Sequence, residues 1–399
     1  MTASGLSPVR LRRMRDVLTR HVERGGVPGL VALVARRGEV HVEAIGTTEA
    51  GGTVSMRRDA IFRIASVTKQ IAAAAAMTLV EECRMRLDDP VDGPLPELAD
   101  RKVLKRPDGP LDDTVPAHRP ITVRDLLTFR MGIGLIMAPP GASPIGRAMD
   151  EAGLMPGPNS PSIGPDEWMK RLGGLPLAHQ PGEKWLYHTG SDALGVLMAR
   201  VTGQPLGQFL DERIFEPLGM RDTGFHVPAD KLDRLPAAYQ TDPATGTMVV
   251  ADDPRQSEWG RPPAFPAAGG GLVSTADDLL AFCAMMLNKG RHGGKRVLSR
   301  PAVELMTTDH LTWQQKAENE VFFGIGSGWG FGVQVFTRRT ALATVPGRFG
   351  WTGGTGTSVY TDPAEELIGI LLTQRYMTSP GPPEVFQDFW TCAYQAIDD

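Results

Sequence analysis

Between Ser7 and Arg24, hydrophobic residues Leu11, Met14, Val17, Leu18 and Val22 recur at helical spacing, with arginines and acids on the other face. This pattern predicts a surface helix packed on a sheet. Two β-rich runs follow, Gly29 to Ala35 and Val40 to Ile45, joined by the turn-like Arg36-Arg37-Gly38-Glu39, which predicts a hairpin. A short apolar strand signal at Phe62 to Ile64 then runs into a helix. Ile71, Ala72 to Ala76, Met77, Leu79 and Val80 make that helix apolar nearly all round, as expected where protein encloses it. Its five consecutive alanines leave a surface thin enough for close neighbours.

After Leu87-Asp88-Asp89-Pro90 the chain is rich in proline and charge to about residue 120. Thr122-Val123-Arg124-Asp125 has the form of a capped helix start. Glycine, proline and methionine dominate from Met131 to Pro165, including Ala138-Pro139-Pro140-Gly141 and Met155-Pro156-Gly157-Pro158, and predict a long ordered loop beside a cleft. Leu194, Gly195, Val196, Leu197 and Val201 mark the buried side of a helix that begins just after Tyr187, and helical patterns continue from Phe209 to Phe215. A loop runs from Asp253 to Pro266. Ala268 to Asp278 predicts a tight crossing and a capped helix reaching Leu287. Trp329 to Phe336 alternates as a strand does, Leu367 to Thr373 is a further apolar strand, and Phe386, Phe389, Trp390 and Tyr394 belong to a terminal helix. Strands at both ends with helices between them predict an α/β chain of the α+β type. Residues 1–88 and 268–399 then form one domain around a mixed antiparallel sheet, residues 89–267 a mainly helical insertion, and the cleft between them the natural site.

Composition changes this picture little. In 399 residues, 41% hydrophobic and 22% charged with a net charge of −4, the chain reads as an ordinary globular protein able to bury a large core. No basic footprint for nucleic acid is present, and no apolar run is long enough to span a membrane. Arginines 10, 12, 13 and 15 lack the uninterrupted apolar segment of a secretory signal, so residence in the cytoplasm is expected. Cys83, Cys283 and Cys392 are widely spaced and fit reduced thiols better than a disulfide framework.

The candidate chemistry lies at Phe62 to Ile71. Ser66 and Lys69 stand three residues apart at the start of the enclosed helix, a spacing that puts both on one face. A serine there meets unpaired backbone N–H groups and the positive end of the helix dipole. A lysine can activate it as a base if burial lowers its pKa. The other histidines, His21, His41, His118, His179, His226, His292 and His310, show no metal-ligand spacing. His188 reads as a wall or structural residue, and Trp185, Trp259 and Trp329 as core residues.

Ser66-Val67-Thr68-Lys69, Tyr187-His188-Thr189 and Trp351-Thr352-Gly353, in that order, resemble the three motifs of the serine β-lactamase and penicillin-binding protein superfamily. The pattern looks most like the class C β-lactamase branch and, within it, the family VIII carboxylesterases. Pro181-Gly182, the stretch from Ala268 to Asp278 and Gly350 to Gly356 resemble the same family. Two departures stand out: Thr189 where class C enzymes have asparagine, and Trp351 where they have lysine. By this resemblance Ser66 is the nucleophile, Lys69 and Tyr187 share the proton transfers, and the backbone N–H groups of Ser66 and Gly354 form the oxyanion hole. Thr189, Trp351, Thr352 and Gly353 would bind substrate. A tyrosine base would need its anion stabilised by Lys69.

The scheme needs no metal and no organic cofactor. It implies hydrolysis of short- to medium-chain carboxylic esters through an acyl-enzyme, with a small-molecule ester as partner. The indole in place of the lysine removes a cation for a substrate carboxylate and offers apolar area instead. Acyl transfer, amide cleavage and weak β-lactam hydrolysis are open alternatives on the same intermediate. A ligand-binding sensor that has lost turnover is another.

Overall fold

The computed structural model describes residues 5–137, 143–157 and 159–399, so the expected loop residues Ala138-Pro139-Pro140-Gly141 and Pro158 lie outside the described residues. Seven strands form the main sheet: β1 (Gly29–Arg36), β2 (Glu39–Gly46), β3 (Ser327–Trp329), β4 (Gln334–Phe336), β5 (Phe349–Gly353), β6 (Thr357–Asp362) and β7 (Leu367–Thr373). Their spatial order is β3-β4-β5-β6-β7-β1-β2, and each neighbouring pair runs antiparallel. The amino-terminal hairpin thus adds its first strand to the last one, with Leu30 opposite Thr373 and Arg36 opposite Leu367.

The continuous apolar run of β1 follows from burial on both faces. Leu30, Ala32 and Val34 pack with α1 (Pro8–Glu23) and the terminal helix, while Val31, Leu33 and Ala35 join a separate core on the other side. Each large aliphatic side chain fully buried in this way contributes roughly 1.5–3 kcal/mol. The second core is built on α2 (Thr68–Glu81), whose residues Thr68 to Leu79 are all buried. The polyalanine surface does permit close approach. Gly332, at φ +71, lies against α2 so tightly that a Cβ there would meet the Lys69 carbonyl oxygen at 2.5 Å and Ala73 Cβ at 2.8 Å.

The glycines also explain one departure from expectation. Trp329 to Phe336 is not one strand: Gly330 to Val333 turn, and β3 and β4 pair as a hairpin. A second departure concerns the loop from Met131 to Pro165. It contains the helix Pro144–Glu151, capped by the Ser143 side chain, and leads into Pro165–Gly174. Prolines that break helix interiors here occupy first helical positions, where no N–H is needed. Between α2 and the later strands lie further helices, among them α3 (Thr189–Thr202), together with the small hairpins Lys102–Leu104/Thr114–Pro116 and Ala238–Thr241/Met248–Asp252, which the pattern did not mark. The Thr122–Asp125 capping box is present as expected. The stretch after Ala268 leads into α4 (Ala276–Leu287), capped by Thr275, and the chain ends with α5 (Glu384–Gln395). Cys83 is exposed while Cys283 and Cys392 are buried, and all three are free thiols.

Candidate active site

Ser66 lies in the middle of a 3-10 turn, Ala65–Val67, that immediately precedes α2. Its presentation is forced by Ala65, which holds the left-handed φ of +41. Such strained positions cluster at functional sites. The Thr355 and Thr357 hydroxyls donate to the carbonyls of Arg63 and Ile64 at 2.5 and 3.1 Å. These bonds fasten the β5–β6 turn, including Gly353 and Gly354, to the chain just ahead of Ser66. Gly354 is exposed at the tip of that turn and Gly353 is buried. The two segments expected to supply oxyanion-hole N–H groups are therefore bound to one another.

Lys69 is 1% exposed. Its Nζ lies 3.0 Å from Ser66 Oγ and 3.1 Å from His188 Nδ1, and it donates to the Gly269 carbonyl oxygen. Loss of water around the ammonium lowers its pKa to about 7, against a smaller opposing pull from Asp192. At neutral pH a large share of Lys69 is therefore a free amine.

Tyr187 projects from the turn that enters α3. His188 holds φ +81 and ψ −63, and the Thr189 N–H donates to the Tyr187 carbonyl at 3.2 Å. This three-residue turn is of the rare strained kind. The Tyr187 ring is surrounded by Phe129, Trp185, Phe322, Trp329 and Trp351, and Lys69 Nζ lies 4.6 Å from its centroid. Its hydroxyl is hydrogen-bonded with Ser66 and accepts from Trp351 Nε1 at 2.6 Å. Burial pushes the phenol well above its ordinary pKa and outweighs both hydrogen bonds. The expected tyrosine anion is therefore disfavoured, and Tyr187 is a neutral phenol at pH 7.

Ser66, Lys69, Tyr187 and Trp351 are brought together. The indole of Trp351 is 5% exposed, so its edge positions Tyr187 and little of its face is free for substrate. Thr189 is buried, with its hydroxyl unpartnered, and Thr352 is half-buried on β5. Trp185 and Trp329 pack in the aromatic cluster with Tyr187, whereas Trp259 packs elsewhere with Ile61, Val227 and Leu235.

Three residues were missed by motif reasoning. His188 Nε2 lies 3.0 Å from Asp192 Oδ2, and Asp192 Oδ1 accepts from the Gly269 N–H at 2.8 Å. The spacing of His188 and Asp192, four apart at a helix start, was the available signal. Gly269 has no signal of this kind, because its partners come from across the fold. Among the described residues, no group of three or more His, Cys, Asp or Glu side chains is placed to share a metal ion, and no helix is long and apolar enough to cross a membrane.

The beta-lactamase family model matches residues 14–385. This chain belongs to the beta-lactamase family. An uncharacterized protein of Mycobacterium tuberculosis is 39% identical over 88% of this chain and 86% of its own length. Esterase EstB of Burkholderia gladioli is 32% identical over 96% of this chain and 97% of its own. The solved structure of EstCE1, a hydrolase with promiscuous acyltransferase activity, superposes with a TM-score of 0.80 at 26% identity, covering 96% of this chain and 98% of that one. As a beta-lactamase family member with esterase relatives, the protein is a serine hydrolase of that superfamily, and its sheet with flanking helices is the family fold.

Proposed function

We propose that the protein is a carboxylesterase that cleaves short- to medium-chain acyl esters through an acyl-enzyme on Ser66. The observation that carries this reading is the buried Lys69 amine, with a pKa near 7, 3.0 Å from Ser66 Oγ. In its neutral form Lys69 takes the Ser66 proton as Oγ bonds to the acyl carbon. The backbone N–H groups of Ser66 and Gly354 receive the developing oxyanion. As the tetrahedral intermediate collapses, the C–O bond to the alcohol breaks. The neutral Tyr187 phenol gives its proton to the departing alkoxide and regains one from the Lys69 ammonium. Water then attacks the acyl carbon, with the same two groups moving its proton, and releases the acid and Ser66.

A neutral ester suits this site. Where the class C β-lactamase motif has a lysine, Trp351 directs its N–H to Tyr187 and supplies no cation for a substrate carboxylate. EstB is named an esterase, which supports the same reading. Acyl transfer to an alcohol is the second reading. It is favoured by the EstCE1 likeness.

Turnover of p-nitrophenyl butyrate, followed together with intact-protein mass, tests the proposal. Release of nitrophenol should vanish in Ser66→Ala, and any acyl adduct should map to Ser66. Undiminished turnover in that variant would overturn it. Adding a primary alcohol and measuring ester product separates transfer from hydrolysis.

A further inference from the structure

The amine of Lys69 has two N–H groups and one lone pair when neutral, and productive catalysis requires the lone pair to face Ser66. The surrounding groups fix this orientation. The Gly269 carbonyl accepts one N–H. The other faces His188 Nδ1 at 3.1 Å. Which nitrogen of His188 carries its proton is set on the far side of the ring: the Asp192 carboxylate, 3.0 Å from Nε2, can only accept. Nε2 is therefore protonated and Nδ1 presents a lone pair to Lys69. Asp192 is itself held by the Gly269 N–H. The result is a closed ring, in which Gly269 receives from Lys69 through its carbonyl and gives to Asp192 through its N–H.

The backbone is shaped to close this ring. His188 occupies the strained turn with φ +81, and a Cβ on residue 269 would stand 2.6 Å from His188 Nε2 and 2.8 Å from Asp192 Oδ1. Only glycine lets the crossing approach so closely.

Resting on the reading of Lys69 as the base, we infer that His188 and Asp192 are positioning residues that fix the direction of the Lys69 lone pair through the tautomer of the imidazole. After Lys69 takes the Ser66 proton, its three N–H groups face Gly269 O, His188 Nδ1 and the Ser66 oxygen, so the ring accommodates both states. The titratable groups facing His188 are Lys69 from α2 and Asp192 from α3, beside the neighbouring Tyr187. The remaining neighbours that share a cavity of about 20 Å³ with it, Leu154, Trp168 and Gly270 among them, carry no charge. That volume accommodates about one water molecule.

Asp192→Asn tests the inference in the full-length enzyme. The amide oxygen can still accept from Gly269, but its NH2 then donates to His188 Nε2 and drives the proton to Nδ1. Nδ1–H competes for the Lys69 lone pair. Expected are a fall in kcat of about 100-fold, KM within about threefold, and displacement of the acid limb of the kcat/KM profile to lower pH, since the carboxylate that favours the ammonium is gone. A merely structural defect would lower the active fraction without moving the limb. His188→Asn provides the second arm, because its Oδ1 retains an acceptor near Nδ1 and asparagine tolerates positive φ. It should keep kcat within about tenfold of the parent even if Asp192→Asn fails to fold.

An Asp192→Asn enzyme with parental kcat and pH limb overturns the inference. So does a His188→Asn enzyme as slow as Lys69→Ala. If Lys69→Ala itself retains full activity, the reading of Lys69 as base is what fails.

Discussion

Tyr187 and Trp351 form the residue pair that separates this site most clearly from the lysine-bearing motif it resembles. The indole N–H fills one acceptor direction of the phenol oxygen at 2.6 Å, which leaves the phenol proton available to Ser66 or to a departing alkoxide. Trp351→Phe removes the donor while keeping most of the aromatic bulk. Loss of a hydrogen bond of about 1–1.5 kcal/mol should lower kcat about tenfold, with thermal stability little changed, in steady-state assays with p-nitrophenyl butyrate. An unchanged kcat would assign the indole to packing alone. The Ser66–Lys69 pairing was legible in sequence because both residues stand within one helical turn. Trp351 was legible by position but not by role, since its partner is 164 residues away. His188 was set aside as structural, although Asp192 four residues on was the clue to a held imidazole.

At the scale of elements, the amphipathic first helix, the opening hairpin, the enclosed α2 and the terminal helix were all legible, because each announces itself through local periodicity. The prolines near residues 144 and 165 and the glycines at 330 and 332 were harder to read, since both residue types mean different things at an element's end and in its interior. Gly332 links fold to site: it packs the β3–β4 turn onto the turn of α2 that carries Lys69. Gly332→Ala introduces a Cβ at positive φ into that contact. It should destabilise the protein by about 1–3 kcal/mol, read as a lower urea midpoint with an unchanged slope. A midpoint equal to that of the parent would show that the contact is loose.

Over the whole molecule, contributions of both chain ends to one sheet were legible from where the β-rich runs fall. The strand order was not, because β1 joins β7 through pairings more than 300 residues apart in sequence. The two short hairpins of the middle region lack the alternation that would mark them. What the assembled molecule adds is dryness: α2, the crossing at Gly269 and the aromatic cluster around Tyr187 together remove water from Lys69 and Tyr187. The same desolvation acts in opposite directions on the two pKa values, lowering the lysine and raising the phenol, which is what the proposed division of Lys69 as base and Tyr187 as acid requires.

Pre-steady-state release of nitrophenol from p-nitrophenyl butyrate between pH 5 and 9 tests that central claim most directly. The acylation rate should rise with pH through an apparent pKa of about 7, as Lys69 loses its proton, and this limb should disappear with the residual activity of Lys69→Ala. A rate independent of pH across this range, or a limb that survives in Lys69→Ala, would contradict the account.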